Sequence, residues 1–378
     1  FELYTQKVNI HITKICESTP IKKMFTKWLN NEHLNEEVNS ATFYEVRLIN
    51  KFDSTLYYAT TKSPINNKNL CVQLAKRIMV CDTITNSTKP GLKVFCLPFD
   101  HKRDILKKQF TNVKIDLAEL NHLHQALTIS GETRNQQIIL TKAEGVAKLL
   151  VHELIHYYDL DGERLVNGGT TYRSIVKNWC SSSLDDNCYE AYTECLSNVL
   201  NCVFTACEFK LSNTTVDIMA MTAELLNIER IYSVYAAAKL LYVYGYTRAT
   251  FRQFFDSADK CIDIKVNIPA IYYYIVRSML FFNINDLLDS QMNTMMDDKK
   301  TAKLIELEIA TINKCTQADS AYMKLLAECF DMVARNDDFS LSYICIDTNA
   351  NKFDFINSYV DASSVGTCVV IDYKYLKL

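Results

Sequence analysis

The hexapeptide VHELIH at residues 151–156 decides the fold, because it sets two histidines four positions apart inside an apolar, helix-forming run. This spacing brings His152 and His156 to one face of a helix. Two imidazoles placed in this way can hold one Zn²⁺, and the adjacent Glu153 can polarise a water bound to that ion. Histidine is scarce, with 7 in 378 residues, so the pattern rarely arises by chance. The hexapeptide therefore predicts a zinc site with a catalytic base.

The sequence around the hexapeptide predicts a strand followed directly by a helix. Residues 136–140 are apolar and typical of a short strand, whose edge can receive an extended peptide. Thr141 and Glu144 have the spacing of a capping box, which predicts the start of the helix. The run DLDG at residues 159–162 predicts its end, with Gly162 in the left-handed conformation.

A catalytic zinc site needs a third protein ligand, and the sequence offers three sources. The metzincin pattern is disfavoured, because it requires glycine and histidine where this chain has Asp159 and Gly162. Asp159 and Asp161 follow closely, but from the end of the same helix they reach back poorly and are expected to be surface residues or outer partners of the ligands. The third source is a later helix, on which Glu190 and Glu194 share one face.

The pattern resembles the gluzincin group of zinc metallopeptidases, in which a glutamate on a later helix completes the H-E-x-x-H motif. The resemblance implies that His152, His156 and Glu190 bind Zn²⁺. It also implies that Glu153 is the general base and that Glu194 holds a ligand histidine by its other ring nitrogen. Gluzincins usually have aspartate at this last position, so Glu194 remains an alternative third ligand.

The function implied by the resemblance is hydrolysis of peptide bonds in a peptide or protein substrate. A metal-activated water attacks the scissile carbonyl, and Glu153 takes its proton. Candidates for stabilising the oxyanion are Tyr157, Tyr158, Tyr172 and Tyr192. An alternative function is non-catalytic: a structural or interaction protein, such as a viral or surface component, that retains zinc within a zincin scaffold.

The order of predicted elements favours an α+β fold, and the resemblance, which extends over about residues 136–208, implies a zincin-like one. Residues 1–134 are expected to be a mixed α/β region, 135–210 the zincin core with the active site, and 211–378 a mainly helical region with a strand-like tail. A mixed sheet and helices would thus form the N-terminal half, and the C-terminal half would be mostly α. Alternating or periodic patterns predict strands at 7–12, 42–49, 54–60 and 92–97, and helices at 21–29 and 115–127.

Composition limits the partners and the compartment. The net charge is −3 and no Lys/Arg run occurs, so neither nucleic acid nor an anionic membrane is an expected partner, and assembly partners are not indicated. No stretch is typical of a transmembrane segment; the most apolar one, 268–282, carries Arg277. A chain that starts at Phe1 favours a processed, extracellular or virion-associated protein. The 14 cysteines are either disulfides, such as one joining Cys180 and Cys188, or reduced core thiols.

Overall fold

The residues that the structure describes form one mixed sheet followed by a helical region, an α+β arrangement rich in helix. The structure is a computed structural model that describes residues 2–5, 10–15, 20–23, 38–48, 54–60, 68–85, 91–99, 126–129, 137–142, 145–161, 179, 190–243, 245–256, 271–292 and 298–335. Within these ranges, no helix combines the length and the apolar character needed to cross a membrane.

Six strands make up the sheet: β1 (Ile10–Lys14), β2 (Thr42–Leu48), β3 (Thr55–Thr60), β4 (Lys93–Phe99), β5 (Ala126–Ile129) and β6 (Gln137–Lys142). Their order across the sheet is β1-β2-β3-β4-β6-β5. Strands β3, β4 and β6 run parallel, whereas β1, β2 and β5 each pair antiparallel with their neighbours. Strand β6 lies between β4 and β5, so the prediction of a sheet edge at residues 136–140 is wrong. Among the described strands, that edge belongs to β5.

The strands form where the sequence suits a sheet that is covered on both faces. In the central strand β4, Val94, Phe95, Cys96 and Leu97 are all buried without alternation, which is typical of a strand with a core on each side. One face packs against helices through Leu56, Val94 and Ile138. The other face forms a small cluster that includes Phe43, Phe95 and Ile139.

The helices are α1 (Glu2–Thr5), α2 (Lys68–Thr85), α3 (Val146–Tyr157), α4 (Glu190–Ser212), α5 (Ile218–Val243), α6 (Gln253–Asp256), α7 (Arg277–Phe282), α8 (Ile284–Met292), α9 (Asp298–Cys315) and α10 (Ala321–Ala334), with a π-helix at Ile271–Val276. Helices α1, α2 and α3 cover one face of the sheet. A larger core joins α4 to α5, α7 and α10. Helix α4 contributes to both cores, because Phe204 and Cys207 pack towards the sheet.

Several predicted elements differ from the observed ones. Helix α2 was not predicted, and the reason is that its buried face carries Gln73 and Arg77, which break the apolar pattern. The helix predicted at 115–127 is wrong at its end, because Ala126 and Leu127 belong to β5, where they pair with β6. The tail strands and residues 24–29 of a predicted helix lie outside the described ranges.

The cysteines that the structure describes are reduced core residues. Eight of them are buried and free of disulfides: Cys71, Cys81, Cys96, Cys195, Cys202, Cys207, Cys315 and Cys329. Burial in apolar surroundings raises the pKa of most of these thiols, which makes them unreactive. The proposed pair Cys180–Cys188 lies outside the described residues.

Candidate metal centre

Helix α3 begins later than the capping-box pattern predicts. Strand β6 continues through Thr141 and Lys142, so the threonine belongs to the strand and lies five residues before the first residue of the helix. The N-terminal cap is Gly145, which has a φ of 64° and makes no side-chain cap hydrogen bond. The capping-box prediction is therefore wrong at Thr141, and Glu144 lies outside the described residues. A positive φ explains glycine at this turn between strand and helix.

Helix α3 ends in a Schellman motif. The Leu160 N–H donates to the carbonyl of Ile155 (3.0 Å), and the Asp159 N–H donates to the carbonyl of His156 (3.1 Å). Asp159 takes the left-handed conformation, with a φ of 54°. The sequence had assigned that conformation to Gly162, which lies outside the described residues. Aspartate is among the few residue types other than glycine that adopt it.

This turn returns the chain to the helix that it has just left. Asp161 is buried, and its Oδ2 lies 2.5 Å from Nδ1 of His156. The hydroxyl of Thr193 on α4 donates to the same oxygen at 3.0 Å. Asp161 is therefore an outer partner of a histidine, one of the two roles expected for it, while Asp159 is exposed.

Three side chains from two helices converge in the interior. His152 and His156 extend from α3 and Glu190 from the first turn of α4, which packs against α3. Oε2 of Glu190 lies 3.3 Å from Nε2 of His152 and 3.6 Å from Nε2 of His156. The two Nε2 atoms are 3.1 Å apart. This buried group can hold a metal ion, because each residue offers one ligand atom and these atoms lie within 4.8 Å of one another.

A carboxylate lies beside the far nitrogen of each histidine. Oε1 of Glu194 is 3.1 Å from Nδ1 of His152, and Asp161 holds the same position beside His156. An ionised carboxylate can only accept, so each Nδ1 carries the hydrogen. In a neutral imidazole this leaves the Nε2 lone pair directed at the converging group, as a metal ligand requires. Glu194 thus lies on the opposite side of the His152 ring from Glu190.

Glu194 is itself held by two cations that the sequence analysis missed. Its Oε2 is paired with the ammonium of buried Lys148, and it lies 3.6 Å from Nη1 of Arg277, which is 1% exposed. Although burial opposes it, Lys148 and the other nearby cations hold the pKa of Glu194 well below its usual range. Lys148 stands four residues before His152 within an apolar run, and this spacing was the available indication of its role.

The electrostatics of the centre favour charged histidines when no metal is bound. Burial lowers the pKa of His152, but the carboxylates of Glu190 and Glu194 outweigh it and raise that pKa to about 9. At His156 the carboxylates of Asp161 and Glu190 likewise outweigh burial, and they raise the pKa to about 10. Burial raises the pKa of Glu190, but the two histidines outweigh burial and lower that pKa to about 2. Either protons or a cation must therefore balance this carboxylate.

We expect metal uptake at pH 7 to release at least one proton, because the neighbouring carboxylates raise the pKa of both histidines above that pH in the metal-free protein, and a histidine must become neutral to bind a metal. Protons compete with the metal at every pH below these pKa values, so the affinity should rise with pH until about pH 10. Calorimetric titration with Zn²⁺ in two buffers of different ionisation enthalpy measures the release. A binding enthalpy that is the same in both buffers would contradict this expectation.

Glu153 is buried beside this group and contacts the edge strand. The hydroxyl of Thr128 on β5 hydrogen-bonds Oε2 of Glu153 and also lies 3.1 Å from its backbone carbonyl oxygen. Burial raises the pKa of Glu153, and the two histidines and Thr128 oppose this rise. Thr128 could not be predicted from its own surroundings in the chain, because its contact depends on the antiparallel pairing of β5 with β6.

Four tyrosines were candidates for stabilising the oxyanion, and two of them do not face the group formed by His152, His156 and Glu190. Tyr157 and Tyr158 pack in the core between the helices and the sheet, and the Tyr158 hydroxyl donates to Asp82 of α2 at 3.4 Å. Tyr192 lines a separate, mainly apolar cavity together with residues of α7, α8 and α9. Tyr172 lies outside the described residues.

Comparison with known proteins shows a similarity that does not indicate an activity for this chain. The chain is similar to an uncharacterized protein of Acanthamoeba polyphaga mimivirus, with 26% identity over 345 residues that cover 88% of this chain and 84% of that protein. No protein-family model matches the chain. No solved structure matches it. The similarity to the mimivirus protein spans far more of the chain than the metal centre does.

Proposed function

We propose that this chain is a zinc-dependent metallopeptidase with a zincin-like active site. The observation that carries the proposal is the convergence of three ligand atoms from His152, His156 and Glu190. Their separations are 3.1, 3.3 and 3.6 Å. In a tetrahedral zinc site with bonds of about 2.0–2.1 Å, ligand atoms lie roughly 3.3–3.4 Å apart. The group therefore fits one zinc ion with little movement.

The donor set favours a catalytic zinc over a structural one. Two imidazole nitrogens and one carboxylate oxygen are a common catalytic combination, and they leave the fourth position for water or substrate. Structural zinc sites are usually closed by four protein ligands, most often with cysteine. The described cysteines are buried core thiols, and none belongs to the metal group.

The positions of the two glutamates favour Glu190 as the third ligand. Glu190 lies beside both Nε2 atoms, where the other two ligand atoms converge. Glu194 faces Nδ1 of His152 and uses its other oxygen for Lys148. A carboxylate in that position orients the ring and raises its basicity without touching the metal.

The chain's own residues supply the proton transfers of peptide hydrolysis. Bound zinc would supply Lewis acidity, polarising the scissile carbonyl and lowering the pKa of water towards ~7. Glu153 would then accept the proton of the attacking water and deliver it to the leaving amine. Its burial suits this exchange, because a raised pKa makes the carboxylate a better proton acceptor near neutral pH.

The end of the sheet offers a place for the substrate backbone. Strand β5 is the outermost described strand on that side, and it pairs antiparallel with β6. An extended peptide can add to such an edge through main-chain hydrogen bonds. Because Thr128 of β5 also contacts Glu153, a peptide bound there would lie next to the general base.

The test is metal analysis combined with a peptide-library digest. We expect one zinc per chain, cleavage of peptides by the loaded protein, and loss of cleavage with a chelator that is reversed by added zinc. Stoichiometric zinc and a lower melting temperature on chelation, without cleavage of any peptide, would support the non-catalytic scaffold instead. Absence of zinc from the protein, even after incubation with it, would contradict both functions.

We expect Thr128→Val to lower kcat by roughly 10- to 100-fold, which corresponds to the free energy lost with one hydrogen bond to a charged group. Valine keeps the shape of the side chain but removes the hydroxyl that orients Glu153. Zinc affinity should stay within about twofold of that of the unchanged protein, because the hydrogen bonds that the structure describes for Thr128 go to Glu153, which is not one of the three converging residues. Thr128→Ser, which retains the hydroxyl, is the matched control and should keep most of the activity.

A further inference from the structure

We propose that Lys148 and Arg277 are positioning residues for the metal centre, and that they act through Glu194 on the ligand His152. This inference rests on the proposed metal site. It concerns the residues that hold the ligand His152 in position. One of them, Arg277, comes from α7 in the helical region.

The two carboxylate oxygens of Glu194 contact different partners. Oε1 faces Nδ1 of His152 at 3.1 Å, whereas Oε2 is paired with Lys148 and lies 3.6 Å from Arg277. All four side chains are buried, so water cannot substitute for any of these contacts. The cations therefore fix the rotamer of the carboxylate, and the carboxylate fixes the plane and tautomer of the ring.

Two buried cations, Lys148 and Arg277, lie beside the same oxygen of Glu194. Desolvating a second charge is costly, and a chain selected only for stability gains little from it. The same helix shows a simpler arrangement about four turns further on from Glu194, where Glu208 pairs with Arg77 at 2.6 Å. The second cation on Glu194 thus points to a role in holding the carboxylate in one orientation.

Arg277 connects this role to a distant part of the chain. It is the first residue of α7 and follows the π-helix Ile271–Val276 directly. Its backbone carbonyl accepts from the thiol of Cys195, the residue after Glu194, at 3.5 Å. Both the backbone and the side chain of Arg277 are therefore docked on α4 at the level of the metal ligands. π-Helical turns are frequent at functional sites, where they redirect a single side chain.

The test is the zinc dissociation constant of single variants, measured by competition with a chelating dye and independent of peptide cleavage. Lys148→Met and Arg277→Met each leave one cation on Glu194, so neither leaves the carboxylate without a charge partner. We expect each to weaken zinc binding by about 10- to 100-fold, as is typical for outer partners of metal ligands. Arg277→Lys should recover part of the lost affinity, because it restores a cation at that end of α7.

Arg77→Met is the matched control. Arg77 and Arg277 are both fully buried, and each pairs with a glutamate of α4, but Glu208, the partner of Arg77, lies about four turns along α4 from Glu194. We expect Arg77→Met to lower the melting temperature and to leave the zinc dissociation constant within about twofold of the starting value, the usual limit for independent sites. A change as large as that of Arg277→Met would show that loss of any buried arginine disturbs the centre, and would overturn the proposal.

A double-mutant cycle separates action through Glu194 from a general effect on the fold. With Glu194→Gln already present, Arg277→Met should change zinc affinity by no more than about twofold, because the carboxylate through which Arg277 acts on His152 is already absent. Equal effects in both backgrounds would overturn the proposal. If Glu194→Gln does not fold, unchanged zinc affinity in both Lys148→Met and Arg277→Met would overturn it equally. Zinc binding without peptide cleavage contradicts only the proposed function, whereas no zinc binding by the unchanged protein contradicts both.

Discussion

Replacing Glu153 with glutamine should lower kcat for peptide hydrolysis by about 10²- to 10⁴-fold, the usual contribution of a general base. Glutamine has the same size and can still accept the Thr128 hydrogen bond at its amide oxygen, so the local packing is retained. It cannot take up a proton at neutral pH. The reaction should therefore lose its base and keep its metal centre.

The measurement is kcat on the best peptide from the library digest, together with the zinc content of the variant. Zinc should remain at one per chain, because Glu153 is not among the three residues that converge as ligands. A variant that retains zinc and more than a tenth of the original kcat would show that another group acts as the base. Loss of zinc from the variant would instead assign Glu153 to the metal site itself.

Glu190→Gln and Glu194→Gln should differ sharply in their effect on zinc. Glu190 places a carboxylate oxygen beside both Nε2 atoms, so in the proposed site its replacement would remove a bond to the metal. Glu194 only supports His152, so its loss should cost about 10- to 100-fold in affinity. We expect the effect of Glu190→Gln to exceed that range and to leave the purified protein without stoichiometric zinc.

Both dissociation constants can be measured by the same dye competition, with circular dichroism to confirm that the variants fold. The reverse ranking, with Glu194→Gln the more damaging, would exchange the roles of the two glutamates. Equal and small effects would leave only the two histidines as ligands and would remove the basis for a catalytic centre.

Much of the sheet could be predicted because its strands carry local patterns. Strands β2, β3 and β4 begin and end within two residues of the predicted ranges, since β-branched and aromatic residues bounded by polar turns are typical of strands. Strand β5 was not predicted. It has only four residues, and its pairing with β6 defines it more than its own composition does.

The convergence of His152 and His156 could be predicted, because the helical repeat alone brings them together. The roles of Glu190 and Glu194 depend on how α4 packs against α3, so sequence spacing left both open as ligands. Lys148 and Arg277 were missed for a related reason. In an apolar run a charged residue is expected to face solvent, and the ion pairs with buried Glu194 help to explain why these two do not.

The ends of helix α3 show the limits of residue preferences. Gly162 suited the left-handed position by composition, but Asp159 adopts it, because the two hydrogen bonds of the Schellman motif form there. Glycine is a preference at this position and not a requirement. The backbone bonds that close the turn decided which residue took the strained conformation.

The π-helix before Arg277 has a consequence for how this protein tolerates change in length. A π-turn contains more residues than an α-turn, so removing a single residue from Ile271–Val276 would allow the segment to relax to an ordinary α-helix. In a regular α-helix each residue turns the chain by about 100°, so a residue removed from α7 itself would rotate every position beyond it. A residue removed from the wide π-turn is absorbed when that turn relaxes, and the Arg277 guanidinium keeps its place beside Glu194. A single deletion should therefore be tolerated before Arg277 and not after it.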